Sequence, residues 1–210
     1  MKYIIMCGGK YAMWDTPKQM TEVKGEPLVA RTIRLLREAG VTDIAISTHN
    51  NAFKKFGVPL LKHDNGYYSK AYNDCEGYWC DCFYPMNEPA CYVFGDVLFS
   101  PNAIKTIVET DTDDIMLFGS KNPFAKEYPK PYIEPFAFKV VNQKHLHEAC
   151  AEVKSLAMAG VFKRKPIAWE LWAVINHTAP NKTNWSYVAI NDYTCDIDIP
   201  EEIEQVLALV

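Results

Sequence analysis

Three short stretches carry residues able to handle a polyphosphate and a divalent cation. The first is Cys7-Gly8-Gly9-Lys10, running through polar residues to Pro17-Lys18. Adjacent glycines let a backbone approach a ligand closely and offer N–H groups to phosphate, and Lys10 and Lys18 add positive charge. Neither the dinucleotide fingerprint nor the P-loop pattern is present, so alone this reads as a glycine turn with two solvated lysines. The second stretch is Gly95-Asp96-Val97. A carboxylate at a strand tip suits Mg²⁺, which takes one or two protein carboxylates; the plainer alternative is a turn or helix-cap aspartate. The third is Asp196-Ile197-Asp198-Ile199-Pro200-Glu201-Glu202. Alternation sends Asp196 and Asp198 to one side of an extended segment. A helix cap with acidic first-turn residues explains Asp198 to Glu202, but not Asp196.

Elements that could position these residues follow from the apolar spacing. Residues 2 to 7 read as a strand buried on both faces, and residues 8 to 25 as a long loop. Pro27 opens a helix with Val29, Ile33, Leu36 and Ala39 at helical spacing, stopped by Gly40. Strand 43–48, a short helix near 52–56 and strand 58–61 follow. Such alternation predicts parallel strands joined by crossover helices. Residues 63–72 read as a loop and 73–83 as a weakly patterned helix. Further strands are expected at 91–94, 115–118, 132–141 and 185–190. Helices are expected at 101–109, 143–159 and 168–176, and after Pro200. The fold class is therefore α/β: a three-layer α/β/α sandwich around a mixed, mostly parallel sheet, in one domain over residues 1–210. Ligands of such sheets bind beyond the carboxyl ends of the strands, where all three stretches would gather.

Composition narrows the function. Residues are 49% hydrophobic and the net charge is −4, which argues against disorder and against a dedicated nucleic-acid binder. No apolar run is long enough for a transmembrane helix or a signal-peptide core. Seven cysteines, an odd number without paired knuckles, read as free thiols in a reducing cytoplasm. His145 and His147, two positions apart, do not face each other on a helix and read as surface or half-buried side chains. His177 follows a helix end, where it complements the dipole.

Taken together, the three stretches resemble the GT-A-like nucleotidyltransferase superfamily, which has a Rossmann-like GT-A fold. The resemblance runs from the apolar strand and Gly8-Gly9, through Pro17-Lys18-Gln19 and Gly25-Glu26-Pro27-Leu28, to Gly40-Val41-Thr42-Asp43-Ile44. The Pro-Lys-Gln form is similar to methylerythritol-phosphate cytidylyltransferases. Asp96 matches the superfamily's metal-binding Asp. Asp198-Ile-Pro-Glu-Glu looks like the Asp-Thr-Pro-Glu-Asp segment of CMP-sugar-acid synthetases. One departure stands out: the superfamily's Gly-x-Gly-x-Arg loop is shortened here and lacks its Arg. Trp169-Glu170 falls where bacterial choline-phosphate cytidylyltransferases have Trp-Asp, and such a pair suits a quaternary ammonium.

The resemblance implies Mg²⁺-dependent transfer of NMP from an NTP, CTP favoured, to a phosphorylated sugar or alcohol such as choline phosphate, with release of pyrophosphate. It assigns Lys18, Asp96 and Asp198 to catalysis and Asp96, Asp196 and Asp198 to metal. Cys7, Gly8, Gly9, Lys10 and Lys18 would bind the nucleotide, the lysines facing the carboxylates across the triphosphate. Trp169 and Glu170 would bind the acceptor, with Tyr67, Tyr68, Tyr72, Tyr78 and Trp79 as further aromatics. A homodimer is compatible with this picture; nucleic acid and membrane are not expected partners. Two rivals stand beside it: a GT-A glycosyltransferase using a nucleotide sugar, and a catalytically degenerate nucleotide-binding protein of the same fold.

Overall fold

The sheet is held by strands whose alternate side chains enter two different cores. In β1 (Lys2–Met6), Tyr3 and Ile5 face one core and Ile4 the other. The computed structural model describes residues 1–9, 14–64, 77–121, 133–179 and 186–208. Within them a short hairpin, β2 (Glu22–Val23) and β3 (Glu26–Pro27), leads into α1 (Leu28–Glu38). Then come β4 (Ile44–Thr48), β5 (Leu60–Lys62), β6 (Ala90–Phe94), β7 (Val97–Leu98) and α2 (Pro101–Glu109). The rest comprises β8 (Ile115–Ser120), β9 (Glu134–Val140), α3 (Gln143–Met158), α4 (Ala168–Ile175), β10 (Val188–Ala189), β11 (Cys195–Asp196) and α5 (Glu202–Leu207).

The main sheet has the order β10-β8-β9-β6-β1-β4-β5, and β9 alone runs antiparallel to its neighbours. Helices α1 and α2 cover one face through Val29, Ile33, Leu36, Ala103, Ile104 and Ile107. Helices α3 and α4 cover the other through Leu146, Ala149, Val153 and Leu171. This is the expected three-layer α/β/α sandwich with a mixed, mostly parallel sheet. The strand order reverses between β1 and β6, so a crevice opens at their carboxyl ends.

Two minor ladders brace that crevice. The β2–β3 hairpin breaks what the sequence reads as one long loop, and Glu26 at its end takes a bidentate grip from Arg34 of α1 at 2.7 and 2.8 Å. Strands β7 and β11 pair antiparallel, Leu98 with Cys195 and Val97 with Asp196. Behind them Val23, Leu28, Leu98, Ile197 and Val206 form a third core, with Trp14 against it. Ser100 caps α2 by accepting from Ala103 N at 2.9 Å, and its own N–H donates to Thr194 Oγ1 at 3.0 Å.

Several boundaries differ from the sequence reading. The weak helix expected over 73–83 is, in the residues described, one 3-10 turn at Trp79–Cys82, held by Asp81 Oδ2 accepting from Tyr78 N at 2.9 Å. The late strand contracts to Val188–Ala189 and the last helix starts at Glu202, after a turn at Pro200.

Candidate active site

The crevice is built by close approach of β6 to β1. Gly95 N donates to Met6 O at 3.1 Å. A Cβ on Gly95 would lie 2.6 Å from Cys7 Sγ and 2.7 Å from Met6 O, so only glycine fits. Gly9 follows with φ +87°, the left-handed region glycine favours. The cleft opens at the carboxyl ends of the strands, where ligands of such sheets bind. Four parallel strand ends line it: Gly8 and Gly9 after β1, Ser47 in β4, His63 after β5, and Phe94 and Asp96 at β6. Gln19, Trp79 and Cys82 complete the wall.

Lys18 sits under this cleft, only 2% exposed. A buried ammonium demands opposite charge. Its Nζ lies 2.5 Å from Asp96 Oδ2 and 3.4 Å from Asp198 Oδ1. The 3-10 turn Lys18–Met20, closed by Met20 N to Pro17 O at 2.8 Å, aims the side chain inward. Asp198 arrives through the β7–β11 ladder: Ile197 N donates to Asp96 O at 3.0 Å. Trp14 Nε1 then donates to Asp198 O at 3.1 Å. The Glu202 carboxylate accepts from Asp198 N at 2.7 Å and Ile199 N at 3.3 Å.

Two carboxylates 102 positions apart in sequence thus meet on one cation. An oxygen donor set of this kind suits Mg²⁺, which needs few protein ligands. The arrangement departs from the expectation that Lys18 faces the carboxylates across a triphosphate, for its ammonium lies directly between them. Among the described residues no three His, Cys, Asp or Glu side chains form a metal-binding group. Of the expected trio, Asp96 and Asp198 meet at Lys18, while Asp196 lies apart in the β7–β11 ladder. Strand β11 ends at Asp196, so alternation does not carry through to Asp198; Asp196 stays in the ladder opposite Val97.

Residues 3–116 match the family model of MobA-like NTP transferase domains. The chain belongs to that family. No curated protein matches it in sequence. Solved structures share the fold of this MobA-like chain across nearly its whole length. One is described as a glucose-1-phosphate thymidylyltransferase from Bacillus anthracis, with TM-score 0.59, 16% identity, and 100% of this chain and 94% of that one covered. The inositol-1-phosphate CTP transferase from T. maritima has TM-score 0.56 and 17% identity, with 99% and 94% covered. HddC from Yersinia pseudotuberculosis has TM-score 0.54 and 14% identity, with 99% and 98% covered. Identities this low speak for the fold alone.

The remaining candidates of the MobA-like chain fall in different places. Gly8 and Gly9 line the cleft; Lys10, Tyr67, Tyr68 and Tyr72 lie outside the described residues. Cys7 is in the core, its N–H spent on Ser47 O at 2.9 Å, and burial, then the charge of Asp96, pushes its thiol well up. It offers a ligand neither backbone donor nor exposed sulfur. Trp169 and Glu170 are not among the residues lining the cleft. Glu170 Oε2 accepts from Ile167 N at 2.8 Å, capping α4, and Oε1 lies 2.9 Å from Arg164 Nη2. The Arg164 guanidinium also rests 5.3 Å from the Trp169 ring centre. His145 pairs through Nδ1 with Asp114 at 2.8 Å and stacks on His177.

Gln19, Ser47 and Glu202 were not singled out as site residues by sequence reasoning. Gln19 and Ser47 line the cleft while nearly buried. The strand-end rule applied to β4 would have found Ser47. Glu202 sits four residues after Asp198, the reach of a carboxylate folding back on a turn. His63 donates from Nε2 to Asp81 O at 2.6 Å, tying the end of β5 to the Trp79–Cys82 turn.

Proposed function

We propose that this chain transfers a nucleoside monophosphate from an NTP to a phosphorylated small molecule, expelling pyrophosphate. The observation that carries the reading is the Lys18 ammonium clasped between Asp96 and Asp198, beside Gly8-Gly9, at the point where the strand order reverses. In this reading the acceptor's phosphate oxygen attacks the α-phosphorus in line, and the protein contributes positioning and charge. The N–H groups of Gly8 and Gly9 cradle the triphosphate, with Lys10 beside them. Lys18 supplies positive charge for the transition state. Asp96 and Asp198 would hold Mg²⁺, which when bound neutralises charge developing on the transferred phosphoryl group.

The nucleotide is proposed to be CTP, on the resemblance of Pro17-Lys18-Gln19. The acceptor is proposed to be a sugar or alcohol phosphate, with choline phosphate the first to try. That choice rests on the resemblance of Trp169-Glu170, because aromatic-plus-carboxylate chemistry suits a quaternary ammonium; binding there would require both side chains, which lie away from the cleft lining, to exchange Arg164 for the acceptor.

One experiment tests all of this. The protein is incubated with Mg²⁺, each of four α-labelled NTPs and a panel of phosphorylated acceptors. Acceptor-dependent pyrophosphate release that vanishes in Asp96→Ala is the expected result. Transfer from a nucleotide sugar without pyrophosphate would replace the reading with glycosyl transfer. NTP binding without turnover across the panel would replace it with a nucleotide-binding role, which the missing loop Arg favours.

A further inference from the structure

The 3-10 turn Trp79–Cys82 has two sides. Trp79 and Cys82 face the nucleotide cleft, while Cys80 meets α3. Cys80 Sγ lies 3.9 Å from the Cys150 carbonyl oxygen, and Cys150 Sγ lies 4.0 Å from the Cys80 carbonyl oxygen. When each sulfur lies over the other's backbone, the two side chains occupy one contact shell. Cys80 and Cys150 also line a second surface cleft with His63, Asp81, His147 and Lys154. Lys154 forms an ion pair with Asp81 at its rim.

We propose that Cys80 and Cys150 are a thiol pair that hydrogen peroxide converts to an intramolecular disulfide, cross-linking the Trp79–Cys82 turn to α3. The two thiols are not equivalent. Contact with Cys150 holds the Cys80 thiol below its ordinary value, and contact with Cys80, then burial, pushes the Cys150 thiol well up. Cys80 is thus the attacking sulfur. It bonds to one peroxide oxygen as the O–O bond breaks, giving a Cys80 sulfenic acid and one water. The Cys150 sulfur then displaces that hydroxyl, forming the S–S bond and a second water. The two sulfurs lose two electrons between them and the peroxide gains them. The bond would fix the turn that carries Trp79 and Cys82, and so one wall of the cleft.

The test uses the reduced, full-length protein, exposed to hydrogen peroxide, after which remaining thiols are blocked and the chain is digested for mass mapping. The expected product is the Cys80 and Cys150 peptides joined, two hydrogens lighter than their sum and separated by dithiothreitol. In Cys150→Ser the oxidant should stop at a Cys80 sulfenic acid that dimedone traps. In Cys80→Ser, Cys150 should stay reduced. A cross-link between other cysteines would overturn the proposal. So would blocked, unmodified Cys80 and Cys150 at doses that oxidise other thiols. Should either serine variant misfold, the wild-type map still decides the pairing. Amide exchange over residues 78–83 should slow in the oxidised protein; unchanged exchange would remove the cross-link's hold on the wall.

Discussion

Lys18 Nζ and Asp96 Oδ2 lie 2.5 Å apart although 78 positions separate them in sequence. The ammonium is closed off from solvent while the carboxylate remains partly open to the cleft, 18% exposed. Asp96→Asn should therefore remove the nearer of the two carboxylates paired with a buried cation. We expect a loss of about 3 kcal/mol, the low end for breaking a buried ion pair, measured by urea unfolding. Asp198→Asn should cost less, because Asp198 lies farther off at 3.4 Å and is half-exposed. Lys18→Met together with Asp96→Leu should recover most of the stability and none of the nucleotide transfer.

Transfer activity should fall about 10²–10³-fold in Lys18→Met, the usual effect of removing one charge-stabilising group. Single-turnover kinetics check this. A loss confined to KM would point instead to nucleotide binding without transition-state stabilisation.

Gly95→Ala should destabilise the fold by about 1–3 kcal/mol, the range for overpacking. Its Cβ would meet Cys7 Sγ at 2.6 Å and the Met6 carbonyl oxygen at 2.7 Å. Calorimetry should show the loss, and Gly95→Ala with Cys7→Ala should recover only the sulfur's share, because the backbone contact remains.

Glu202→Ala removes the acceptor for the N–H groups of Asp198 and Ile199. A stability loss of about 1–2 kcal/mol is expected for such charge-assisted bonds. Glu202 acts through Asp198, so kcat should fall as well and Glu202→Gln should rescue part of it. A variant that loses stability but keeps kcat would assign Glu202 to the cap alone.

Alkaline pH should unfold the protein early. Burial pushes the Cys91 thiol up from its ordinary 9.0 to about 12. Between these values the unfolded chain releases a proton that the native chain retains. Unfolding is then favoured increasingly as pH rises. Urea midpoints should fall from about pH 9 upward, and Cys91→Ala should flatten part of that slope. A slope unchanged by the substitution would shift the cause to the buried phenols Tyr3 and Tyr92, whose values burial also raises.

Local chemistry made much of this legible. Ser100-Pro101 marks the start of α2 and Gly40 the end of α1, because capping needs only neighbours. Asp96 could be placed because a buried strand points to its own end. What could not be read depends on contacts between distant segments. Nothing near Lys18 announces that its ammonium is buried between two carboxylates, one of them 180 positions away. Cys7 was grouped with Gly8 by adjacency, yet the ladder bond to Ser47 turns it into the core. Asp196 was paired with Asp198 by a two-residue period that a two-residue strand cannot sustain.

The β7–β11 ladder gives the site a birth order. Lys18, the glycine loop and Asp96 all leave the ribosome before Asp198, which follows Asp96 by 102 positions. At about 5–20 residues per second, the interval is on the order of 5–20 s. Throughout it the chain holds Lys18 and Asp96 but not yet Asp198. The pairing of Lys18 with both carboxylates is thus completed only once β11 has been made, and a message cut short before β11 yields Lys18 and Asp96 without the second carboxylate.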